Sequence, residues 1–316
     1  MMRKFRLVLI MLFMSMCFTQ FSAGAKGGLT NTRGVGVYPG RPSEHYGPCV
    51  VAGDNEYRNV ALFRAVSHSS ANDYLRTAQL VTDGLCADST AEPGRVLMST
   101  WRSATGKNEW IAIDLGSVSK IDKVCFHWVN APVDGVLQVS GDGKTWNDLV
   151  TFGSEKEVAF HKVKTRYVRA LLNSTSNAEP FELAEFEVYG KGGTKTVPAK
   201  AAVRAGNKHV LAGGNWKLCR ASEVTASGEE LSHPAFNASS WMDATVPGTV
   251  LASYLNVGAV HDPNHAANQD YISDDYFRND FWYRNTFEAH LDTPRQFLHF
   301  CGINFKYVKT EKFQIL

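Results

Sequence analysis

Residues 121–129 read Ile-Asp-Lys-Val-Cys-Phe-His-Trp-Val, a stretch in which apolar and polar side chains largely alternate. The same alternation occurs in residues 166–171, Arg-Tyr-Val-Arg-Ala-Leu, and in residues 181–189, Phe-Glu-Leu-Ala-Glu-Phe-Glu-Val-Tyr. Successive side chains of a β-strand point to opposite faces, so a period of two predicts strands with one buried face. No window of about 15 residues here shows the helical period of 3.6.

Turn signals separate these strands from their neighbours. The apolar run at residues 110–116, Trp-Ile-Ala-Ile-Asp-Leu-Gly, ends on a glycine, and residues 136–140 lead into the tight-turn sequence Gly141-Asp142-Gly143-Lys144. Short strands divided by turns predict an all-β fold, with an antiparallel β-sandwich in this part of the chain.

The composition excludes two classes of protein. The 316 residues include 33 Lys+Arg against 31 Asp+Glu, a formal net charge of +2, with 44% hydrophobic and 20% charged residues. A disordered chain would be poorer in apolar residues, and a nucleic-acid-binding protein normally carries a clear basic excess. We therefore expect a globular protein of roughly two domains with no nucleic-acid partner.

The N-terminus has the pattern of a secretory signal peptide, predicted over residues 1–25. Three basic residues within the first six positions precede an apolar run at residues 7–14, and Ala23-Gly24-Ala25 supplies small residues for cleavage. Cleavage is predicted after Ala25, with Ala23 as the second choice. The apolar run is shorter than the roughly 20 residues that cross a bilayer, so we predict export to the periplasm or the extracellular space.

Cys17 leaves a lipoprotein as the alternative, in which a lipid would anchor the chain through this cysteine. Met16 stands just before it, where a small residue is expected. Membrane association is therefore expected only if Cys17 carries a lipid.

The other cysteines do not form a disulfide framework. They are odd in number, contain no C-x-x-C pair that would indicate a structural zinc site, and stand at positions 49, 86, 125, 219 and 301. Buried free thiols are predicted, and a disulfide between Cys86 and Cys125 is the alternative.

Glycine-rich and proline-rich stretches divide the chain. Residues 26–48 form a predicted flexible lead-in, and residues 191–206 have the composition of a linker. The predicted domains are therefore residues 49–190 and residues 207–316.

The first domain carries an ordered series of seven motifs, from residues 59–62 to residues 184–190. Between these lie Val81-Thr82-Asp83-Gly84, Ser99-Thr100-Trp101-Arg102-Ser103, residues 110–116, Ser140-Gly141-Asp142-Gly143-Lys144-Thr145-Trp146 and Arg166-Tyr167-Val168-Arg169. This series resembles the coagulation factor 5/8 type C, or discoidin, family. The resemblance implies an eight-stranded jelly-roll sandwich, and the family includes many carbohydrate-binding modules of bacterial glycosidases.

The same resemblance implies a structural Ca²⁺ ion held by Asp83, Thr100 and Glu185, since hard oxygen ligands suit this ion. A long insert at residues 85–98 departs from the family pattern. The alternative for Asp83 is an Asx turn before Gly84.

Sugar binding in this family uses loops at one end of the sandwich, where aromatic rings stack on the sugar and polar groups hold its hydroxyls. His68, Tyr74 and Trp101 are the candidates. Trp101 stands in a family core motif, so packing is its alternative role.

The second domain carries another set of motifs: residues 211–218, Trp241 to Ala252 around Val246-Pro247-Gly248-Thr249, Asp280-Phe281-Trp282-Tyr283-Arg284 and residues 297–304. These resemble the N-terminal jelly-roll domain of glycoside hydrolase family 2, nearest to its β-mannosidase and exo-β-glucosaminidase branch. A short helix is predicted at residues 250–255, and a strand around Trp282.

In that family, loops after the helix reach the catalytic pocket and touch the terminal sugar. The matching candidates for substrate contact are Asp262, Asn264 and Asn268. Asx turns are an equally plausible role for these three residues.

The resemblance places catalysis on two Glu residues of a later (β/α)₈ barrel. The chain ends before such a barrel, and residues 306–316 match nothing in the family, so a truncated product with an incomplete second jelly roll is expected. No other catalytic motif is present, so no catalytic residue is predicted and the chain alone is expected to be inactive.

These patterns together predict the carbohydrate-binding portion of a secreted family 2 glycosidase, through which β-mannoside or glucosaminide glycans reach the catalytic domain. The expected partner is a glycan or polysaccharide. The alternatives are a standalone glycan-binding or adhesion protein and a phospholipid-binding discoidin domain, which would need exposed apolar loop residues.

Overall fold

The computed structural model describes residues 5–11, 50–86, 89–92, 95–196, 204–205, 208–209, 211, 216–246 and 248–289. The chain divides into two compact units. The larger unit comprises Gly28–Val197 together with Tyr254–Arg278, and the smaller unit comprises Met1–Gly27, Pro198–Ser253 and Asn279–Leu316.

β-strands make up most of the described structure. They are β1 (Phe5–Met11), β2 (Val50–Ala52), β3 (Arg58–Asn59), β4 (Ala65–His68), β5 (Ser89–Glu92), β6 (Arg95–Met98), β7 (Trp101–Arg102), β8 (Lys107–Asn130), β9 (Pro132–Ser140), β10 (Asn147–Phe152), β11 (Glu157–Thr175), β12 (Glu182–Lys191), β13 (Thr194–Thr196), β14 (Arg204–Ala205), β15 (Lys208–His209), β16 (Lys217–Arg220), β17 (Met242–Asp243) and β18 (Phe281–Ala289).

The helices are short. The α-helices are α1 (Gly228–Ser232) and α2 (Val250–Val257), and the 3₁₀-helices are Ala78–Thr82, Ala221–Glu223, Asn268–Tyr271 and Tyr276–Arg278. The prediction of an all-β, antiparallel fold is therefore confirmed, and α2 confirms the helix predicted at residues 250–255.

An eight-stranded antiparallel sheet builds the larger unit. Its main path runs β10-β9-β11-β8-β12-β3, with β4 paired to β8 and β7 paired to β12. Ile113 and Phe126, from opposite halves of β8, belong to one apolar core. The sheet therefore folds over its own apolar face, as a sandwich requires.

The strands are longer than the sequence predicted. Residues 110–116 and 121–129 belong to one strand of 24 residues, β8. Gly116 does not end the strand but takes a φ of 77° within it, and its amide donates to Asp114 Oδ1 at 2.8 Å. The pairing of β8 with β11 shifts register beside this point, so the glycine marks a bulge in a continuous strand.

Aromatic rings fill the centre of the core. The ring of Phe126 lies 4.6 Å from that of Phe186 and 5.0 Å from that of Phe152, centroid to centroid. Phe126 and Phe186 are almost completely buried. Trp101 is also fully buried, and its Nε1 donates to the carbonyl of Ser70 at 3.0 Å.

The segment 254–278 packs with the first predicted domain. Arg64 Nη2 donates to the carbonyl of Val257 at 2.7 Å. The amide of Ser273 donates to Gln79 Oε1 at 3.1 Å, and its hydroxyl donates to the carbonyl of Leu75 at 2.6 Å. A stretch from the second predicted domain thus completes the larger unit, while the predicted domain boundaries themselves stay predictions.

The start of the predicted linker also belongs to the larger unit. Strand β13 pairs with β2, and the amide of Gly53 donates to the carbonyl of Gly193 at 2.8 Å. Gly192 and Gly193 have φ values of 100° and 70°, so these glycines form a turn that leads the chain into the pairing of β13 with β2.

The smaller unit contains a four-stranded sheet in the order β1-β18-β16-β17. The helix α1 begins with a capping box, in which Ser227 and Glu230 satisfy each other's backbone amides. Leu231, Ala238 and Trp241 form an apolar cluster in the smaller unit. The strand predicted around Trp282 is confirmed as β18.

Several predictions fall wholly or partly outside the described residues. Strand β1 lies within the predicted export signal and pairs with β18, whereas the cleavage sites at Ala23 and Ala25, Cys17 and the lead-in at 26–48 are not described. Residues 290–316 are not described either. Among the described residues, no helix has the length and apolar character needed to cross a bilayer.

We expect Phe186→Ala to lower the free energy of unfolding by about 3–5 kcal/mol, because it removes a fully buried ring from a packed aromatic cluster. Urea denaturation monitored by tryptophan fluorescence measures the change. The control is Val133→Ala on β9, where the side chain is 56% exposed and the expected change is below about 0.5 kcal/mol. Equal effects of the two substitutions would contradict this assignment of the core.

Candidate functional site

The residues predicted to bind sugar lie in two neighbouring stretches of the larger unit, which we name the 69–76 loop and the 262–274 segment. His68, directly before the loop, packs edge-on against Tyr271, with ring centroids 5.0 Å apart. At the other end, the amide of Asp274 donates to the carbonyl of Tyr74 at 3.0 Å. These two contacts join the stretches although they are about 200 positions apart in sequence.

Tyr74 is the accessible aromatic residue of the site, with 68% of its surface exposed. The backbone around it is held firmly. Asp73 Oδ1 accepts hydrogen bonds from the amides of Leu75, at 2.8 Å, and Arg76, at 2.9 Å. The amide of Asn72 donates to the carbonyl of Arg102 at 2.8 Å. An exposed ring on a braced loop can offer its face to a ligand at little entropic cost.

His68 is a packing residue. It is buried, and so is His261, whose ring lies 5.7 Å from the ring of Tyr271. Burial lowers the pKa of both histidines to about 4. Both rings are therefore neutral at pH 7 and pack around Tyr271.

Asp262, Asn264 and Asn268 shape the turn that leads to Tyr271. Asp262 Oδ1 accepts a hydrogen bond from the amide of Asn264 at 2.9 Å, which forms an Asx turn. Asn268 Nδ2 donates to the carbonyl of Asp262 at 2.9 Å, and Asn268 is buried. Only Asn264 among the three is exposed, so it is the one best placed for ligand contact.

Trp101 does not line the accessible surface, because it is fully buried. Its ring is stacked with that of His68, with the two centroids 6.5 Å apart, so Trp101 supports the site by packing against His68.

The predicted calcium ligands lie elsewhere in the larger unit, near the 3₁₀-helix Ala78–Thr82. Asp83, Thr100 and Glu185 are all buried. Asp83 forms the alternative Asx turn, since its Oδ1 accepts from the amide of Leu85 at 2.9 Å, and its Oδ2 accepts from Ser99 Oγ at 2.9 Å. The hydroxyl of Thr100 donates to Glu182 Oε1 at 2.9 Å.

Two buried carboxylates, those of Asp83 and Glu185, influence each other here. Burial, and then the negative charge of Asp83, raise the pKa of Glu185 well above its usual value, because two carboxylates there share a dry environment. Carboxylate and hydroxyl oxygens are the ligands that Ca²⁺ prefers. Within the described residues, no group of three or more His, Cys, Asp and Glu side chains converges as a metal site. The fit therefore rests on the neighbouring carboxylates of Asp83 and Glu185, whereas the Thr100 hydroxyl contacts Glu182.

The thiols that the structure describes, Cys86, Cys125 and Cys219, are free. The disulfide considered between Cys86 and Cys125 is not formed. Cys86 is exposed and the other two are partly exposed, so they are less buried than predicted.

Sequence reasoning missed the residues that hold the site together. Tyr271 lies between His68 and His261, and Gln79 accepts a hydrogen bond from Ser273. None of them belongs to a motif with a recognisable period. Their roles depend on the segment returning to the larger unit, for which the sequence carries no local signal.

We expect stability to fall as pH falls from about 6.5 to about 4, because the unfolded chain protonates histidines that the folded protein keeps neutral. A pKa drop from 6.5 to about 4 corresponds to roughly 3 kcal/mol for each ring. His68→Gln removes one such group and should flatten the pH dependence of the free energy of unfolding, measured by urea denaturation. The exposed His161→Gln is the control and should leave the slope unchanged. An unchanged slope in His68→Gln would refute the prediction.

Two family models match the chain. Residues 64–186 match the F5/8 type C domain, and residues 223–307 match the glycosyl hydrolase 2 galactose-binding domain-like family. Tyr74 lies in the first match and Asp274, whose amide donates to the carbonyl of Tyr74, lies in the second.

Curated relatives match over 106 residues. An exo-beta-D-glucosaminidase of Streptomyces avermitilis is 31% identical over 34% of this chain and 12% of its own length. A mannosylglycoprotein endo-beta-mannosidase of Lilium longiflorum is 33% identical over 31% of this chain and 11% of its own length. The chain thus spans about a tenth of these relatives.

Among solved structures, chitosan-binding module 2 of a chitosanase/glucanase from Paenibacillus sp. IK-5, in complex with chitotriose, is 28% identical. It covers 42% of this chain and all of its own, with a TM-score of 0.37. Chitosan-binding module 1 of the same enzyme is 26% identical over 42% of this chain and 99% of its own, also with a TM-score of 0.37.

The chain therefore carries an F5/8 type C domain followed by a glycosyl hydrolase 2 galactose-binding domain-like segment, with homology over part of its length to an exo-beta-glucosaminidase and a beta-mannosidase of glycoside hydrolase family 2.

Proposed function

We propose that this chain is the glycan-binding portion of an exported family 2 glycosidase, through which substrate reaches the catalytic domain. The observation that carries the proposal is the position of Tyr74. Tyr74 exposes its ring on a braced loop of the F5/8 type C domain. Its backbone carbonyl accepts a hydrogen bond from the 262–274 segment. A glycan held there would touch both family-matched parts of the chain.

The chemistry of the site suits a sugar. The flat face of Tyr74 can stack against the C–H face of a pyranose ring, and the exposed amide of Asn264 supplies both a donor and an acceptor for hydroxyl groups. Sites of this kind combine apolar contact with a few fixed polar groups.

The proposed substrates are β-mannoside or glucosaminide glycans. They follow from the names of the two curated relatives, a glucosaminidase and an endo-mannosidase. The proposed whole enzyme hydrolyses the glycosidic bonds of these glycans. Export through the signal peptide at residues 1–25 is part of the same proposal.

A glycan array, followed by calorimetry on the best ligand, tests the proposal with the full chain. Tyr74→Ala should weaken binding about fivefold, because a stacked aromatic contact contributes on the order of 1 kcal/mol. Asn264→Ala should weaken it by a smaller factor.

The matched control is Tyr57→Ala. Tyr57 is also exposed, at 47%, but it stacks on Tyr189 and donates to Asp122 Oδ1, away from the 69–76 loop. Absence of binding across the array, or equal losses in the two tyrosine variants, would refute the proposed site.

We also propose that Asp83, Glu185 and Thr100 hold a structural Ca²⁺ ion. When bound, the ion would neutralise the two buried carboxylates and so stabilise the larger unit. The raised pKa of Glu185 supports this, because burial and the neighbouring negative charge of Asp83 disfavour its ionised form in the metal-free protein.

The melting temperatures of the wild type and of Glu185→Gln should rank in opposite order in chelator and in calcium. In chelator the variant should melt at or above the wild-type temperature, because it removes repulsion between buried carboxylates. In calcium at about 100 times its dissociation constant, the wild type should gain roughly 3 kcal/mol and the variant much less. Glu157→Gln, with an exposed side chain, is the control. The same calcium response in all three proteins would contradict the site.

A further inference from the structure

A row of five paired residues, four of them polar, crosses five strands of the larger unit. The register pairs Ser67 with Ala112, Ala112 with Arg169, Arg169 with Gln138, and Gln138 with Asp148. Residues directly opposed in antiparallel strands project to the same face of the sheet. These five residues therefore share one face across β4, β8, β11, β9 and β10.

This face is opposite the apolar core. Val168 and Ala170, the neighbours of Arg169 in β11, are fully buried, and both belong to the core. Because alternate side chains point to opposite faces, Arg169 lies on the outer face.

Two indole rings flank the guanidinium of Arg169 on this face. Its Cζ lies 4.2 Å from the ring centroid of Trp146 and 5.9 Å from that of Trp110. Both tryptophans and Arg169 are partly exposed. We name these three residues the Trp110–Arg169–Trp146 platform.

Hydrogen bonds along the row fix the platform in place. Arg169 Nε donates to Gln138 Oε1 at 2.8 Å, and Gln138 Nε2 donates to Asp148 Oδ1 at 2.7 Å. Within the described residues, Arg169 makes no hydrogen bond through its Nη1 or Nη2 groups. The guanidinium thus keeps donors for a further partner, and the exposed Asp148 keeps acceptor capacity.

We propose that the Trp110–Arg169–Trp146 platform is a second glycan subsite, for a neutral hexose oligosaccharide lying across the sheet. The indoles offer apolar faces to sugar rings, and hydroxyl groups can accept from Arg169 and donate to Asp148. An anionic sugar would meet repulsion from Asp148, and a cationic sugar would meet repulsion from Arg169. The subsite extends the proposed binding of β-mannoside glycans, which are neutral, and rests on it, but it uses none of the same residues.

The test is titration of the full chain with mannohexaose and cellohexaose, both β-1,4-linked, monitored by NMR of the tryptophan indole N–H groups and by calorimetry. The indole signals of Trp110 and Trp146 should shift with ligand, whereas that of the buried Trp101 should not. In a Tyr74→Ala background, which weakens the first site, the remaining binding should fall about fivefold or more on adding Trp110→Ala or Asp148→Asn.

Asp134→Asn is the matched control for Asp148→Asn, since Asp134 is an exposed aspartate on the adjacent strand β9, where it accepts hydrogen bonds from Asn173 and Ser174. Melting temperatures verify that each variant is folded. Galacturonate hexamers serve as the charged comparison and should bind more weakly than the neutral hexamers.

The outcomes separate the two proposals. If glycan binding depends on Tyr74 while the Trp110 and Trp146 signals do not move, the platform is a structural brace of the β9–β10 turn and this inference is wrong. If the platform signals shift but Tyr74→Ala has no effect, the subsite stands and the loop site is wrong. If neither hexamer binds, the subsite is wrong.

Discussion

The buried guanidinium of Arg64 joins three parts of the larger unit that are far apart in sequence. Its Nη2 donates to the carbonyl of Val257, and its Nη1 donates to the hydroxyl of Thr194. The backbone carbonyl of Arg64 accepts a hydrogen bond from Thr82 Oγ1 at 2.8 Å. Burial lowers the pKa of Arg64 to about 10, so the group still carries its charge at pH 7. A buried charge is tolerated only when it is well hydrogen-bonded, and these partners meet that condition.

The position of the 262–274 segment depends on this anchor and on the contacts around Ser273. Tyr271 then packs between two neutral histidines, and Tyr74 stands exposed beside the segment. Elsewhere in the unit, the carboxylates of Asp83 and Glu185 lie buried near one another. The larger unit thus keeps an exposed aromatic ring on its surface and its charged groups of Arg64, Asp83 and Glu185 buried.

Local pattern predicted the strands well because alternation is a property of adjacent residues. Local pattern failed where the conformation or burial of a residue depends on parts of the chain that are distant in sequence. Gly116 looked like the end of a strand, but a positive φ let the chain form a bulge and continue. Trp101 and Tyr74 are both aromatic residues in loops or short strands, and only the fold shows that one is buried and the other exposed. The turn formed by Asp262 follows from its side chain, whereas the contact of Tyr271 with His68 follows from tertiary packing alone.

The discontinuous make-up of the larger unit limits how freely its binding domain can be moved between proteins. A fragment cut at residue 190 would leave behind β13 and the 254–278 segment. The contacts of the 254–278 segment with Gln79 and His68 would then be lost. The charged guanidinium of Arg64 would also lose its hydrogen bond to Val257. A fragment designed for expression therefore keeps the 254–278 segment together with the strands that it covers.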